Sequence, residues 1–192
     1  MNVKKRSSIN IVESRLFSKN FRGQIWVETM IYTLIAFALI GLVLAFVKPK
    51  IEEIQDRSLI EQSVSVINDI DSVMSSIGVS GNQRVLEIGI NKGALTFDGL
   101  NDRIFFQIES RSEYSQAGEN VSIGNVVVLT ENVGDTSDVT LTRNYSGLYN
   151  LTYSDGETSR EISSAPNPYK ILITNKGEDS SGNTIVNIEV VS

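Results

Sequence analysis

Few side chains in this sequence are placed to do chemistry, and the most conspicuous is a lone carboxylate. Glu28 stands at the mouth of an apolar run, Met30 to Val47, eighteen residues without a charge. An ionised carboxyl near the centre of a bilayer costs on the order of 2–3 kcal/mol, and less at the edge, so Glu28 calls for a partner. Just upstream stand Arg22, Gly23 and Gln24. Cleavage after Gly23 would free an α-amino group on Gln24, four residues before Glu28, a spacing at which ammonium and carboxylate share a helix face. In a packed helical assembly the same carboxylate would instead reach the terminal amine of a neighbouring subunit, neutralising both charges where water is scarce. On charge alone, an interfacial Glu that snorkels into the headgroups is the plainer reading.

Elsewhere the residue types exclude more than they propose. Histidine and cysteine are both absent. That removes the usual general base, any standard Ser-His-Asp triad, thiolate nucleophiles, disulfides and the usual zinc ligands. The glycine-rich stretches lack the phosphate-loop lysine pattern and the dinucleotide fingerprint. Asp135, Asp138, Glu178 and Asp179 lie in polar loops but match no full calcium-loop spacing, so solvated turns are the preferred reading and neither a metal nor a cofactor is expected. An enzyme is not expected, since the acids, serines and tyrosines form no recognisable constellation. Acidic balance without a basic-aromatic patch argues against nucleic acid as a partner. Three Asn-x-Ser/Thr sequons remain, at Asn120, Asn144 and Asn150, each an acceptor pattern for N-glycosylation.

The elements that must position these groups follow from hydrophobic pattern. Met30 to Val47 is apolar on every side, and at about 1.5 Å per residue it reaches roughly 27 Å, close to the thickness of a bilayer's hydrocarbon. Beyond Lys48-Pro49-Lys50 the helix continues, with a kink expected at Pro49, which lacks a donor and crowds the carbonyl of Ala45. Ile51, Ile54, Ile60, Val64, Ile67, Ile70, Met74 and Ile77 recur mostly at three or four, while Asp56 and other polar residues are assigned to other faces. This reads as an amphipathic helix to about Ser76.

After the turn formers of residues 77–82 the period becomes two. Strands are expected at residues 84–90, 94–97, 103–109, 125–130, 139–143, 148–153, 169–174 and 184–190. Hairpin chemistry is expected at Asn91-Lys92-Gly93, Asp98-Gly99, Asp155-Gly156, Asn175-Lys176-Gly177 and Ser181-Gly182-Asn183. The fold class is α+β: a long hydrophobic then amphipathic N-terminal helix, followed by a small antiparallel β domain of about six to eight strands. The division is 1–23 as a basic leader, 24–77 as the helix and 78–192 as the β domain.

Charge supplies a direction. The leader carries +5 while the whole chain carries −6, leaving −11 to the rest. Positive residues flanking a membrane segment stay on the cytoplasmic side, so residues after Lys50 should face out. No small-residue cleavage site follows the apolar run, as an ordinary secretory signal requires, so the segment is kept.

Arg22-Gly23-Gln24 with Glu28, at the start of an apolar helix, resembles the archaeal class III signal peptide of type IV pilin-like proteins. Trp26 and Tyr32 occupy positions where serine and leucine are usual. The motif covers residues 22–32, and the architectural likeness about 1–77. The resemblance implies that a membrane aspartyl prepilin peptidase cuts between Gly23 and Gln24. The helix would then leave the lipid to form a filament core with other copies or related pilin subunits, guided by filament assembly machinery. Gln24 and Glu28 would be its assembly residues. The expected function is thus a structural subunit of an archaeal surface filament, for adhesion or motility. The alternative is a single-pass, membrane-anchored extracytoplasmic binding or sensor domain that is never polymerised.

Overall fold

The computed structural model describes residues 21–191, with side chains from Ile25 onward. A single helix, α1 (Phe21–Ser75), includes Pro49. Ten strands follow: β1 (Gln83–Ile88), β2 (Ala94–Asp98), β3 (Arg103–Ser110), β4 (Asn120–Ile123), β5 (Val126–Val133), β6 (Thr136–Asn144), β7 (Tyr149–Tyr153), β8 (Ser159–Ser163), β9 (Tyr169–Glu178) and β10 (Thr184–Val191). The fold is α+β, as expected. The chain divides into two compact units between Lys48 and Pro49.

In the first unit every residue of α1 from Ile25 to Lys48 is exposed. It is long and apolar enough to cross a membrane. In the second unit the rest of α1 shares one hydrophobic core with two sheets. Ile60, Val64, Ile67, Ile70 and Met74 line its buried stripe, and Ile77 follows just beyond the helix.

The first two residues of the expected stripe behave otherwise. Ile51 and Ile54 are 48% and 66% exposed, whereas Asp56 is only 6% exposed. Helical phase explains both corrections. Six residues separate Ile54 from Ile60, which at 3.6 per turn turns Ile54 well away from the stripe, while Asp56 stands four before Ile60 and falls on it.

One sheet has the order β1-β9-β10-β7 and the other β4-β5-β6-β3-β2-β8. All pairs are antiparallel except β7 with β10, which is parallel. The ten strands exceed the six to eight expected because β4 spans only four residues and β8 carries a single apolar side chain, Ile162, so neither holds enough alternation to announce it.

Three of the expected hairpin sites do not join two paired strands. The segment Asn91-Lys92-Gly93 links β1 to β2, and Asp155-Gly156 does make a tight turn, with Tyr153 and Gly156 exchanging backbone hydrogen bonds of 2.8 and 3.1 Å, but it lies between β7 and β8; each segment joins strands of different sheets. The third, Asn175-Lys176-Gly177, lies inside β9, where the register to β10 shifts between Ile185 and Val186. Gly177 has φ +105°, so its conformational freedom serves a β-bulge, not a turn. The β9–β10 turn falls a few residues later, where Asp179 accepts hydrogen bonds from the amides of Ser181 (2.8 Å) and Asn183 (2.9 Å).

Period-two alternation sorts the six-stranded sheet into two faces. Leu95, Ile104, Phe106, Ile108, Val139 and Leu141 are buried on one. Arg143 shares that face and donates from Nε to Asp71 of α1 at 3.0 Å, which identifies it as the helix side. Phe105, Val127, Leu129, Thr140 and Thr142 alternate onto the other face, half-buried or exposed.

Candidate functional site: the apolar helix and its carboxylate

Glu28 lies on the exposed surface of α1, one turn before Tyr32. The Tyr32 hydroxyl donates to Glu28 Oε1 at 3.2 Å. Thr29 and Thr33 hydroxyls turn inward, donating to the carbonyls of Ile25 (2.9 Å) and Thr29 (2.8 Å), so each of these polar side chains is satisfied within the helix. Glu28 is therefore the one charge of a surface otherwise made of Trp26, Met30, Leu34, Phe37 and similar side chains. Arg22, Gly23 and Gln24 fall in the first turn of α1, and their side chains lie outside the described residues, as do residues 1–20 of the expected leader. Pro49 sits within α1 where the second unit begins.

Chemically, this surface can do two things. It can meet lipid, or it can meet other apolar helices, with the carboxylate as its single electrostatic feature. Tyr32 is the residue that reasoning from sequence missed here. It stood at i+4 from Glu28, a spacing that always places two side chains on one helix face.

In the second unit α1 is held by ion pairs as well as by apolar packing. Asp56 accepts from Lys92 Nζ at 2.6 Å and from the backbone amide of Arg111 at 2.8 Å, and the Arg111 side chain pairs with Glu52. Burial acts to raise the Asp56 pKa, but the Arg111 amide and the Lys92 ammonium outweigh it and hold the carboxyl below its ordinary value. The signal was legible: an acid at i−4 from Ile60 on the buried stripe demands a partner.

At the far end of the helix, the Arg143 guanidinium lies 4.8 Å over the ring of Tyr145 while it pairs with Asp71. Tyr145 is fully buried, and its hydroxyl has no hydrogen-bond partner among the described residues. Burial first, and the neighbouring Asp71 carboxylate second, push its pKa well above the ordinary tyrosine value.

The sequons are dispersed. Asn120 opens β4 and is exposed, Asn144 ends β6 and is exposed, and Asn150 lies in β7, half-buried. Among the described residues no group of three or more acidic, histidine or cysteine side chains converges as a metal site. No family model, no curated protein and no solved structure matches this chain.

Proposed function

We propose that this chain is a structural subunit of an archaeal type IV pilus-like surface filament, assembled through α1 after cleavage between Gly23 and Gln24. The observation that carries this reading is the division of labour along one helix. From Ile60 on, α1 closes its own domain's core, whereas Ile25 to Val47 present apolar side chains on every side. A surface of that size finds its partner in lipid before assembly and in other copies of the helix afterwards. Glu28 then meets the freed α-amino group of a neighbouring subunit. A membrane aspartyl prepilin peptidase and filament assembly machinery are the implied partners, and the β domain is displayed outside the cell.

The test is N-terminal sequencing of the protein from its native membrane, beside a Gly23→Leu variant. A mature chain starting at Gln24, with the variant left as uncut precursor, is expected. A native protein that still begins at Met1 overturns the reading.

One observation favours the second reading, a membrane-anchored extracytoplasmic domain that never polymerises. Tyr32 gives Glu28 a donor within its own helix, so a solitary helix in lipid already eases the charge without a neighbouring amine.

A further inference from the structure

The three sequons are equivalent as motifs but not as positions. Asn144 is the residue after Arg143 in β6, and Arg143 points to Asp71 on the helix side. Asn144 therefore projects from the opposite face, where it pairs in register with Arg103 of β3. Its Oδ1 accepts from the amide of Ser146 at 2.8 Å, and its Nδ2 has no partner among the described residues. Asn120 reaches the same face by a different route. It pairs with Leu129 of β5, which pairs in turn with Thr140 of β6, and Thr140, Thr142 and Asn144 share one side of that strand. Two strands across and four residues along place the two asparagines roughly 16 Å apart on one sheet face. Asn120 is exposed, and its side chain also has no hydrogen-bond partner among the described residues.

Asn150 differs in each respect. It lies in the other sheet, in register with Ile185 of β10, half-buried, with Nδ2 3.5 Å from Asp179 Oδ2. Its amide nitrogen faces the Asp179 carboxylate and its side chain is half-covered, so it is presented to a transferring enzyme less openly than Asn120 or Asn144.

We propose that Asn120 and Asn144 carry N-linked glycans on the helix-distal face of the six-stranded sheet, and that Asn150 carries none. The co-reactant is a lipid-linked glycosyl phosphate, presented by a membrane glycosyltransferase. The amide nitrogen attacks the anomeric carbon, the N–C bond forms as the C–O bond to phosphate breaks, phosphate leaves with the electron pair, and the amide proton passes to a base of that enzyme. The placement has a physical consequence. Asn120 sits on β4, an edge strand whose free backbone groups would otherwise invite strand addition, and both glycans flank the half-apolar patch of Phe105, Val127 and Leu129.

The proposal rests on the outward topology of the proposed function, so topology is read separately, by protease shaving of intact cells. The modification is read by intact mass and peptide mapping of full-length protein from its native host, with Ser122→Ala, Ser146→Ala and Thr152→Ala, which abolish each sequon while keeping its asparagine. The first two variants should each lose the mass of one glycan, and the third none. A shaved, surface-exposed domain whose residue 120 and 144 peptides are unmodified overturns the proposal and leaves the topology standing. A glycan on the Asn150 peptide overturns it as well.

Discussion

Tyr32 and Glu28 stand one helical turn apart on α1, and the tyrosine hydroxyl donates to the carboxylate at 3.2 Å at the mouth of the membrane-length segment. A neutral donor eases a carboxylate's desolvation but leaves its charge available to an ammonium. The two residues are thus separable by substitution. Tyr32→Phe removes one hydrogen bond, worth about 1 kcal/mol, and should leave filaments near normal abundance. Glu28→Gln keeps an acceptor for Tyr32 and removes the charge; under the proposed assembly this strands a neighbour's amine at about 3–5 kcal/mol and should abolish them. Shearing the cell surface and comparing the sedimented filament with the membrane fraction distinguishes the two. Normal filaments from the Gln variant would sink the role of Glu28 in assembly.

The clasp at Asp56 predicts acid sensitivity of the second unit. Its folded pKa is depressed, so its stabilisation is fully present above the unfolded carboxyl value and is lost as pH falls through the folded one. Asp98 acts in the same direction. Buried, it accepts from Asn101 Nδ2 and Arg103 Nε, both at 2.8 Å, and these donors outweigh the opposing effect of its burial. Urea unfolding followed by circular dichroism should give stability that declines below about pH 4. Asp56→Asn should lose about 2–3 kcal/mol at neutral pH and show a shallower decline in acid. An unchanged acid slope in that variant would mean that Asp56 is not among the groups responsible.

The membrane-length run could be read from its unbroken apolar length, and the amphipathic continuation and eight of the strands from the period each writes into its residues. What escaped was information held in pairs distant along the chain. Lys92 reads as a hairpin residue until β1 and β2 are seen in different sheets, when it becomes the partner of an acid thirty-six positions earlier. Gly177 carries the positive φ that its type foretells, yet the register of β10 decides whether that makes a turn or a bulge. The stripe's beginning was misjudged at Ile51 and Ile54 because hydrophobicity was counted across a six-residue gap that breaks helical phase. Of the candidate site, Glu28 was legible from its charge, and Tyr32 was not, because a tyrosine in an apolar run passes for one more membrane side chain.

Arg143 and Tyr145 invite opposite expectations from the same contact. Arg143 is the shared partner of Asp71 and of the Tyr145 ring, with both ion-pair side chains mostly buried, so Arg143→Ala should cost about 3 kcal/mol. Tyr145→Phe keeps the ring and deletes a buried hydroxyl that has no partner among the described residues. It should be neutral or stabilising by up to about 1 kcal/mol. Thermal melts of the two variants check both signs, and a strongly destabilised Phe variant would assign that hydroxyl a bond to Asp71.

Two glycines with left-handed backbones separate conformational strain from crowding. Gly134 begins the two-residue turn between β5 and β6, with φ +66°, and a Cβ there would meet nothing within 4 Å. Gly93, where the chain passes from one sheet to the other, has φ +85°, and a Cβ there would stand 2.3 Å from the backbone oxygen of Gln107. Gly134→Ala should therefore cost only the backbone term, about 1 kcal/mol. Gly93→Ala adds a clash with the backbone of β3, which cannot yield without breaking ladder bonds on both sides, and should cost about 3 kcal/mol or more. It should also displace the neighbouring Lys92 from Asp56, so its penalty and that of Asp56→Asn should combine to less than their sum. A double-mutant cycle by denaturant unfolding measures this. Full additivity would show that the crossing and the clasp are independent.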